Sequence, residues 1–369
     1  MKVGIEASTM LVREKTGIER YTTELVSALV NLLPNHPDLE LVLYFHAGDQ
    51  NSDRELVKLY QNSFLNVKKR FYYPRRWYRP VLLLTTMLDR LDLFHCPSPI
   101  IPLAKTCSTV MTFHDISLDL HDDITKRDVL GALSRSDFNI AVSEDTRNAL
   151  ISYGIDPEKI TVIYEGVPGN FFPNPDGAKL VTEKYKLQKY ILCVGTFHPR
   201  KNYIGLLDAY QMLRNEFGIT HSLVLAGKKA SAYDHVFEKI HELGLENYVK
   251  ILDYVPAEEM SGLYSGADVH VLPSLHEGFG LTVLESMACG TPVVVSKAGS
   301  LPEVVKNAGE YFDPTDVHDM ARVINRVLTD QDLQHRLREA GFNRAREFSW
   351  LNTASRTIDT YRYLYRTNK

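Results

Sequence analysis

An α/β chain of two doubly wound, Rossmann-like parallel-sheet domains in series is the fold this sequence predicts, on three observations. Short β-rich runs alternate with amphipathic helical patterns along its whole length, which is how βαβ units and parallel sheets read. The chain has 369 residues, more than a single hydrophobic core usually serves before a chain divides. The alternation also breaks once, in the Gly-, Pro- and Asn-rich stretch at 164–188, and then restarts. Such a break reads as an interdomain linker.

In the first half, "KVGIEAS" opens the chain as a strand, "IERYTTELVSALVNLL" follows with apolar residues at helical spacing, and "LELVLYF" returns as a strand. "LDLFHCPS", "CSTVMTFHD" and "FNIAVSE" are further strands, each ending at polar or Pro/Gly punctuation. The second half supplies "YILCVGT", "HSLVLAG", "YVKILDYV", "ADVHVLP" and "TPVVVS" as five more. Helices such as "YIGLLDAYQMLRNEF" and "DHVFEKIHELG" lie between them. Two long helical patterns, "DVHDMARVINRVLTD" and "QDLQHRLREAGFNRAREF", precede a last one after Ser349. The predicted domains are 1–168 and 169–349, with 350–369 as a terminal helix. Ligands of open α/β sheets sit beyond the carboxyl ends of the strands, so two such domains facing each other make a cleft.

Composition narrows the function. With 44% hydrophobic and 24% charged residues and a net charge of −4, the chain is globular and lacks the basic field of a nucleic-acid binder. It begins directly with a strand rather than an export signal, and its apolar runs are too short to span a bilayer. Cys96, Cys107, Cys193 and Cys289 are widely spaced without a C-x-x-C pattern, so neither a zinc site nor a disulfide framework is indicated. A cytoplasmic location is the expectation.

The most informative stretch is "HEGFGLTVLESMACGTP", His276 to Pro292. It runs from a strand through a Gly-Phe-Gly loop into a helix. The free amides at that helix start, around Gly280 to Thr282, form a ready anion site, and two glycines admit close approach of a ligand. Two carboxylates there cannot bind phosphate, but each can accept hydrogen bonds from vicinal hydroxyls. One ribose at Glu285 and one sugar at Glu277, joined by a diphosphate held by amides, explains both acids. The competing reading, two capping or surface acids, does not explain the strand, turn and helix around them.

These residues resemble a known family. The E-x7-E spacing within "EGFGLTVLESMACGTPVVVS" resembles the donor-binding signature of the family 4 retaining glycosyltransferases, enzymes of GT-B fold. "CVGTFHPRKN", "TGIERYTTEL", "TFHDIS" and "FNIAVSE" are similar to that family's basic diphosphate segment, glycine loop, histidine loop and the strand ending its first domain. The resemblance implies that Glu285 holds ribose hydroxyls and Glu277 the donor sugar, with Gly278, Phe279, Gly280, Leu281 and Thr282 completing the pocket. It also implies Arg200 and Lys201 on the diphosphate, Gly17 admitting the same group, and His114 beside the reacting carbon. On these terms His114, Lys201 and Glu277 are the catalytic candidates, and the terminal helix packs back on the first domain.

The chemistry fits those residue types. Cleaving the bond between sugar C1 and diphosphate puts negative charge on the leaving group, which cations and helix-start amides stabilise without a metal or other cofactor. The one Asp-x-Asp, Asp330 to Asp332, starts a helix and reads as a cap. Where many relatives carry Gly-Gly this chain has Thr16-Gly17, and where many carry arginine it has Thr196, which shifts the diphosphate load to Arg200 and Lys201. The span between His121 and Phe138 also reads as short. "VKKRFYYPRRWYRP" interleaves Lys68, Lys69, Arg70, Arg75, Arg76 and Arg79 with aromatic residues, which suits an anionic membrane face or a lipid-linked acceptor, or else an exposed loop.

The expected activity is therefore transfer of a glucose- or mannose-type hexose from a UDP- or GDP-sugar to a saccharide or lipid-linked acceptor, in polysaccharide or glycoconjugate biosynthesis. The alternative on the same fold is a nucleotide-sugar epimerase. A dehydrogenase is disfavoured because no G-x-G-x-x-G follows a strand. A non-catalytic nucleotide-sugar sensor would bind donor tightly without turnover.

Overall fold

The computed structural model describes residues 1–46, 67–72, 78–98, 106–115, 131, 133 and 135–367. The chain divides into two compact units, one made of Met1–Gly166 with Trp350–Lys369 and the other of Val167–Ser349. Each is built on one parallel sheet.

Among the described residues the first unit has seven strands: β1 (Lys2–Glu6), β2 (Glu40–His46), β3 (Lys68–Tyr72), β4 (Leu93–Cys96), β5 (Ser108–Phe113), β6 (Phe138–Ala141) and β7 (Ile160–Val162). Their order is β3-β2-β1-β4-β5-β6-β7. Ile5 of β1 lies opposite Leu43 of β2 and His95 of β4. Central strands of such a sheet are covered on both faces, so they read as continuous apolar runs, and Val3, Ile5, Val42, Leu43 and Ile140 are fully buried. Helices α1 (Gly17–Leu32), α2 (Tyr78–Asp89) and α3 (Glu144–Ser152) connect them. α1 starts at Thr16-x-x-Glu19, where the Glu19 carboxylate accepts from the Thr16 N–H at 3.1 Å and hydroxyl at 2.8 Å. Beyond this start signal, α1 buries Tyr21, Leu25, Val26 and Leu29 on one face.

The second unit has six strands: β8 (Tyr190–Val194), β9 (Ser222–Ala226), β10 (Val249–Ile251), β11 (Val269–Leu272), β12 (Val293–Ser296) and β13 (Glu310–Phe312), in the order β10-β9-β8-β11-β12-β13. Its helices are α4 (Pro175–Tyr185), α5 (Tyr203–Asn215), α6 (Tyr233–Glu242), α7 (Ala257–Ser265), α8 (Leu281–Ala288), α9 (Leu301–Val305), α10 (Val317–Thr329) and α11 (Gln331–Ala345). Asp330 caps α11, its carboxylate accepting the Leu333 N–H at 2.9 Å. Val167 bridges to Ser349, so this unit's chain enters and leaves at one place.

The last helix, α12 (Trp350–Thr367), belongs to the first unit. Tyr361 of α12 bonds His95 Nδ1 at 2.6 Å, and His95 Nε2 meets Thr112 Oγ1 at 2.9 Å. Thr353 Oγ1 donates to the Tyr164 carbonyl at 2.7 Å, and Trp350 meets the Tyr21 ring edge-on.

Several sequence expectations are corrected. The chain passes between units at Gly166 and Val167, and the supposed linker contains α4, which starts with Asn174 capping the Gly177 N–H. Strands β3, β7 and β13 extend the sheets beyond those expected, and "FNIAVSE" is the penultimate strand of its sheet rather than the last. The basic stretch opens with edge strand β3, not a loop. Its Lys68 and Arg70 reach Asp89 at the end of α2, at 2.5 and 2.6 Å. The Tyr44 hydroxyl adds a bond of 2.8 Å. Led by Arg70, these contacts hold the Asp89 carboxyl far below its usual range despite burial. Arg75, Arg76, the Arg79 side chain and most of the 121–138 span lie outside the described residues.

Candidate functional site

In the second unit the loop after β8 and the loop after β11 bring the sequence-predicted residues together. A short 3-10 turn, Pro199–Lys201, follows β8, with the His198 ring accepting the Arg200 N–H. The Leu275 N–H donates to the Arg200 carbonyl at 2.8 Å, tying the two loops. Across that tie Lys201 Nζ bonds Glu277 Oε1 directly, and Arg200 Nη1 lies 3.4 Å from Glu277 Oε2 and 3.1 Å from the His276 carbonyl. The Ser274 hydroxyl donates to Glu277 Oε1 at 2.5 Å. Glu277 is only 5% exposed. Burial alone would raise its carboxyl, but the Lys201 and Arg200 charges and the hydroxyl bond outweigh it and hold it below the usual range. The residue is a buried carboxylate, kept ionised by the two cations that sequence reasoning assigned to a different part of the ligand.

Backbone geometry fixes that carboxylate. The Ser300 N–H and hydroxyl both donate to the Glu277 carbonyl at 3.0 Å. Gly299, at φ +54°, lies so close that a Cβ would come within 2.3 Å of the same oxygen. Gly280 caps α8 at φ +98°, where a side chain is strained, and a Cβ would meet Leu301 at 2.8 Å. Leu281 and Thr282 are the first two residues of α8, so their amides lie in the turn that lacks intrahelical acceptors. Gly278 and Phe279 are buried, the Phe279 ring edge-on to Phe348.

Glu285, one turn into α8, is 1% exposed and accepts the Tyr264 hydroxyl at 2.9 Å. Next to Tyr264 lies the His270 ring, 5.4 Å away and edge-on, fully buried, with neither nitrogen hydrogen-bonded. Burial, then the Lys201 charge, pushes His270 down to about 3. Burial likewise pushes the Cys193 and Cys289 thiols up to about 12, which leaves both inert at neutral pH.

In the first unit, His114 follows β5, with its Nδ1 3.1 Å from Glu165 Oε1 and its Nε2 2.9 Å from the Pro97 carbonyl. Gly17 is the first residue of α1, and a Cβ there would meet nothing within 4 Å. Neither its packing nor its φ demands glycine. Sequence reasoning missed Ser274, Gly299, Tyr264 and Glu165. Of the three in the second unit, only Ser274, three residues before Glu277, carried a local spacing signal; Gly299 and Tyr264 reach Glu277 and Glu285 through tertiary structure, as Glu165 reaches His114 within the first unit.

Comparison with known proteins gives concordant results. Residues 179–344 match the Glycosyl transferases group 1 family and residues 15–170 match Glycosyltransferase Family 4. The chain is 32% identical over 380 residues to an O-antigen chain mannosyltransferase B of Escherichia coli, covering 95% of this chain and 96% of that protein. It is 33% identical over 224 residues to an MMP alpha-(1->4)-mannosyltransferase of Mycolicibacterium hassiacum, 59% of this chain and 52% of the other. Among solved structures, Anabaena HepE in complex with UDP and glucose superposes with a TM-score of 0.77 at 19% identity, covering 98% of this chain and 100% of that one. WaaG, a glycosyltransferase involved in lipopolysaccharide biosynthesis, gives 0.72 at 12% identity, with coverage of 98% and 99%.

Proposed function

Because the chain belongs to the group 1 and family 4 glycosyltransferases and is a hexosyltransferase of GT-B fold, we propose that it transfers mannose from a nucleoside-diphosphate donor to a growing polysaccharide. Transfer retains configuration at the anomeric carbon. The mannose assignment is supported by the relatives that act as mannosyltransferases. The observation that carries the donor side is the buried Glu277 carboxylate, held by Ser274, Lys201 and Arg200 next to the Gly280-capped start of α8. An ionised acid fixed in this way accepts sugar hydroxyls without moving. Lys201 and Arg200, with the Leu281 and Thr282 amides, take up charge developing on the departing diphosphate, so no metal is needed for that step. Glu285 accepts ribose hydroxyls, its other oxygen being braced by Tyr264. An epimerase of the same fold, the alternative raised by the sequence, has no observation in its favour.

A thermal-shift screen against UDP-, GDP- and ADP-mannose, followed by product analysis with and without a saccharide acceptor, tests this reading. One donor should raise the melting temperature, and sugar should leave it only when acceptor is present. Epimerised nucleotide sugar formed from donor alone would overturn it. Gly17→Ala should leave the melting temperature unchanged, because the Cβ enters open space. It should slow transfer by about tenfold or more, roughly 1.4 kcal/mol of barrier. Wild-type turnover in that variant would remove Gly17 from the ligand site.

The first unit also docks on an anionic membrane face. Among the described residues no helix is long and apolar enough to cross a membrane. On α2, however, Leu84, Met87 and Leu88, at helical spacing on one face, are 58–70% exposed. Asp89, the residue after Leu88, pairs with Lys68 and Arg70 of edge strand β3, which keep more than a third of their side chains exposed. Vesicles containing anionic lipid should therefore bind the protein, and serine at these three positions should weaken binding more than neutralising Lys68 does. Undiminished binding of the triple variant would sink the idea.

A further inference from the structure

The hydrogen bonds around His114 hold one proton more than a neutral imidazole and a carboxylate supply. The Pro97 carbonyl at 2.9 Å can only accept, so Nε2 carries a hydrogen. Nδ1 faces Glu165 Oε1 at 3.1 Å, a contact that is a hydrogen bond only with a second proton between the two atoms. Glu165 is 3% exposed, and its other oxygen, Oε2, is buried without a partner. Both contacts are satisfied when the ring donates from each nitrogen, to the Glu165 carboxylate on one side and to the Pro97 carbonyl on the other. Among the described residues, Tyr21, His95 and Asp115 are the other ionisable groups around this pair. The Tyr21 ring from α1 lies edge-on at 4.4 Å, and its hydroxyl bonds Thr112 and is pushed up by burial. His95 from β4 is pushed down to about 3 by burial, then by the His114 charge itself. α12 reaches this cluster through Trp350 against Tyr21. Asp115, next in the chain, flanks it.

We propose that Glu165 is a positioning residue that holds His114 as an imidazolium at the carboxyl end of the first unit's sheet. A ring with both nitrogens donating has no lone pair to accept a proton, so His114 presents a fixed positive charge and does not act as a general base. Nothing in the residue spacing of this pair, 51 positions apart, announces it.

Glu165→Gln separates charge from orientation, because the amide can donate to Nδ1 and keep a neutral ring in the same place. In 15N spectra near neutral pH, with the resonances assigned through His114→Asn, wild-type His114 should show two protonated ring nitrogens. Glu165→Gln should show one protonated and one bare. A bare nitrogen in the wild type, or two protonated nitrogens in Glu165→Gln, overturns the proposal, and the wild-type spectrum decides even if the variant does not fold. The kinetic arm rests on the transferase reading: Glu165→Gln should lower kcat by about tenfold, roughly 1.4 kcal/mol of barrier, with the donor KM unchanged. Wild-type kcat in the variant would show that the charge is not used. A protein without transfer activity would still give the same spectra, so the two readings fail separately.

Discussion

Replacing Lys201 with methionine should lower the unfolding free energy by about 3 kcal/mol, as expected when one partner of a buried ion pair is removed. It should also abolish most transfer. The stability loss follows from geometry: Lys201 and Glu277 side chains are 12% and 7% exposed, and without Lys201 the carboxylate keeps only Ser274 and a longer contact to Arg200. The double variant Lys201→Met/Glu277→Gln should recover part of the loss, giving a coupling of about 2 kcal/mol, within the range for residues in one network. Urea unfolding of the four proteins in the cycle measures it, and additive losses would show the pair to be weak. Transfer should not recover with stability if, as proposed, both side chains act on the donor. Recovery of turnover in the double variant would mean that neither residue contributes beyond holding the other.

Acidification should destabilise both units from about pH 6.5 downward, before most carboxylates are titrated. His95 in the first unit and His270 in the second are fully buried and pushed down to about 3, while an unfolded chain binds a proton on each at about 6.5. Both are neutral in folded and unfolded states above that value, so they cost nothing there. As pH falls from about 6.5 toward 3, the unfolded state takes up protons that the folded state refuses, and stability drops by roughly 1.4 kcal/mol per pH unit for each histidine. At pH 5 each accounts for about 2 kcal/mol. His270→Phe should remove one share of this slope without opening a hydrogen bond, because neither ring nitrogen has a partner. A urea midpoint series over this pH range checks it, and an unchanged acid limb in His270→Phe would refute the assignment. His95 lacks that freedom, since phenylalanine there strands Tyr361 and Thr112.

The fold was legible where burial imposes a period. Strands such as β1, β5, β8 and β12 are apolar because both sheet faces are covered, and α1 announces itself through Thr16 and Glu19. What escaped lies at sheet edges, where pairing is one-sided and side chains are free to be charged: β3 reads "KKRFY", and β7 and β13 are three residues long. The Pro- and Asn-rich stretch misled for a related reason. Asn174 and Pro175 mark a helix start as readily as a loop. Within the site, Glu277 and the cations were visible as motifs, but their mutual contact was not. The motif spacing suggested a division between sugar and phosphate, whereas the folded loops place acid and cations on one another.

The origin of α12 in the first unit has a consequence for synthesis. A ribosome delivers β1 to β7 long before it delivers Tyr361 and Thr353, whose bonds to His95 and to the Tyr164 carbonyl complete that sheet's covering. The second unit, entered at Val167 and left at Ser349 beside it, is contiguous and is ready to fold as soon as it emerges. Order of completion therefore reverses order of translation: the half made first is finished last, once α12 has left the ribosome and its Tyr361 and Thr353 can reach His95 and the Tyr164 carbonyl.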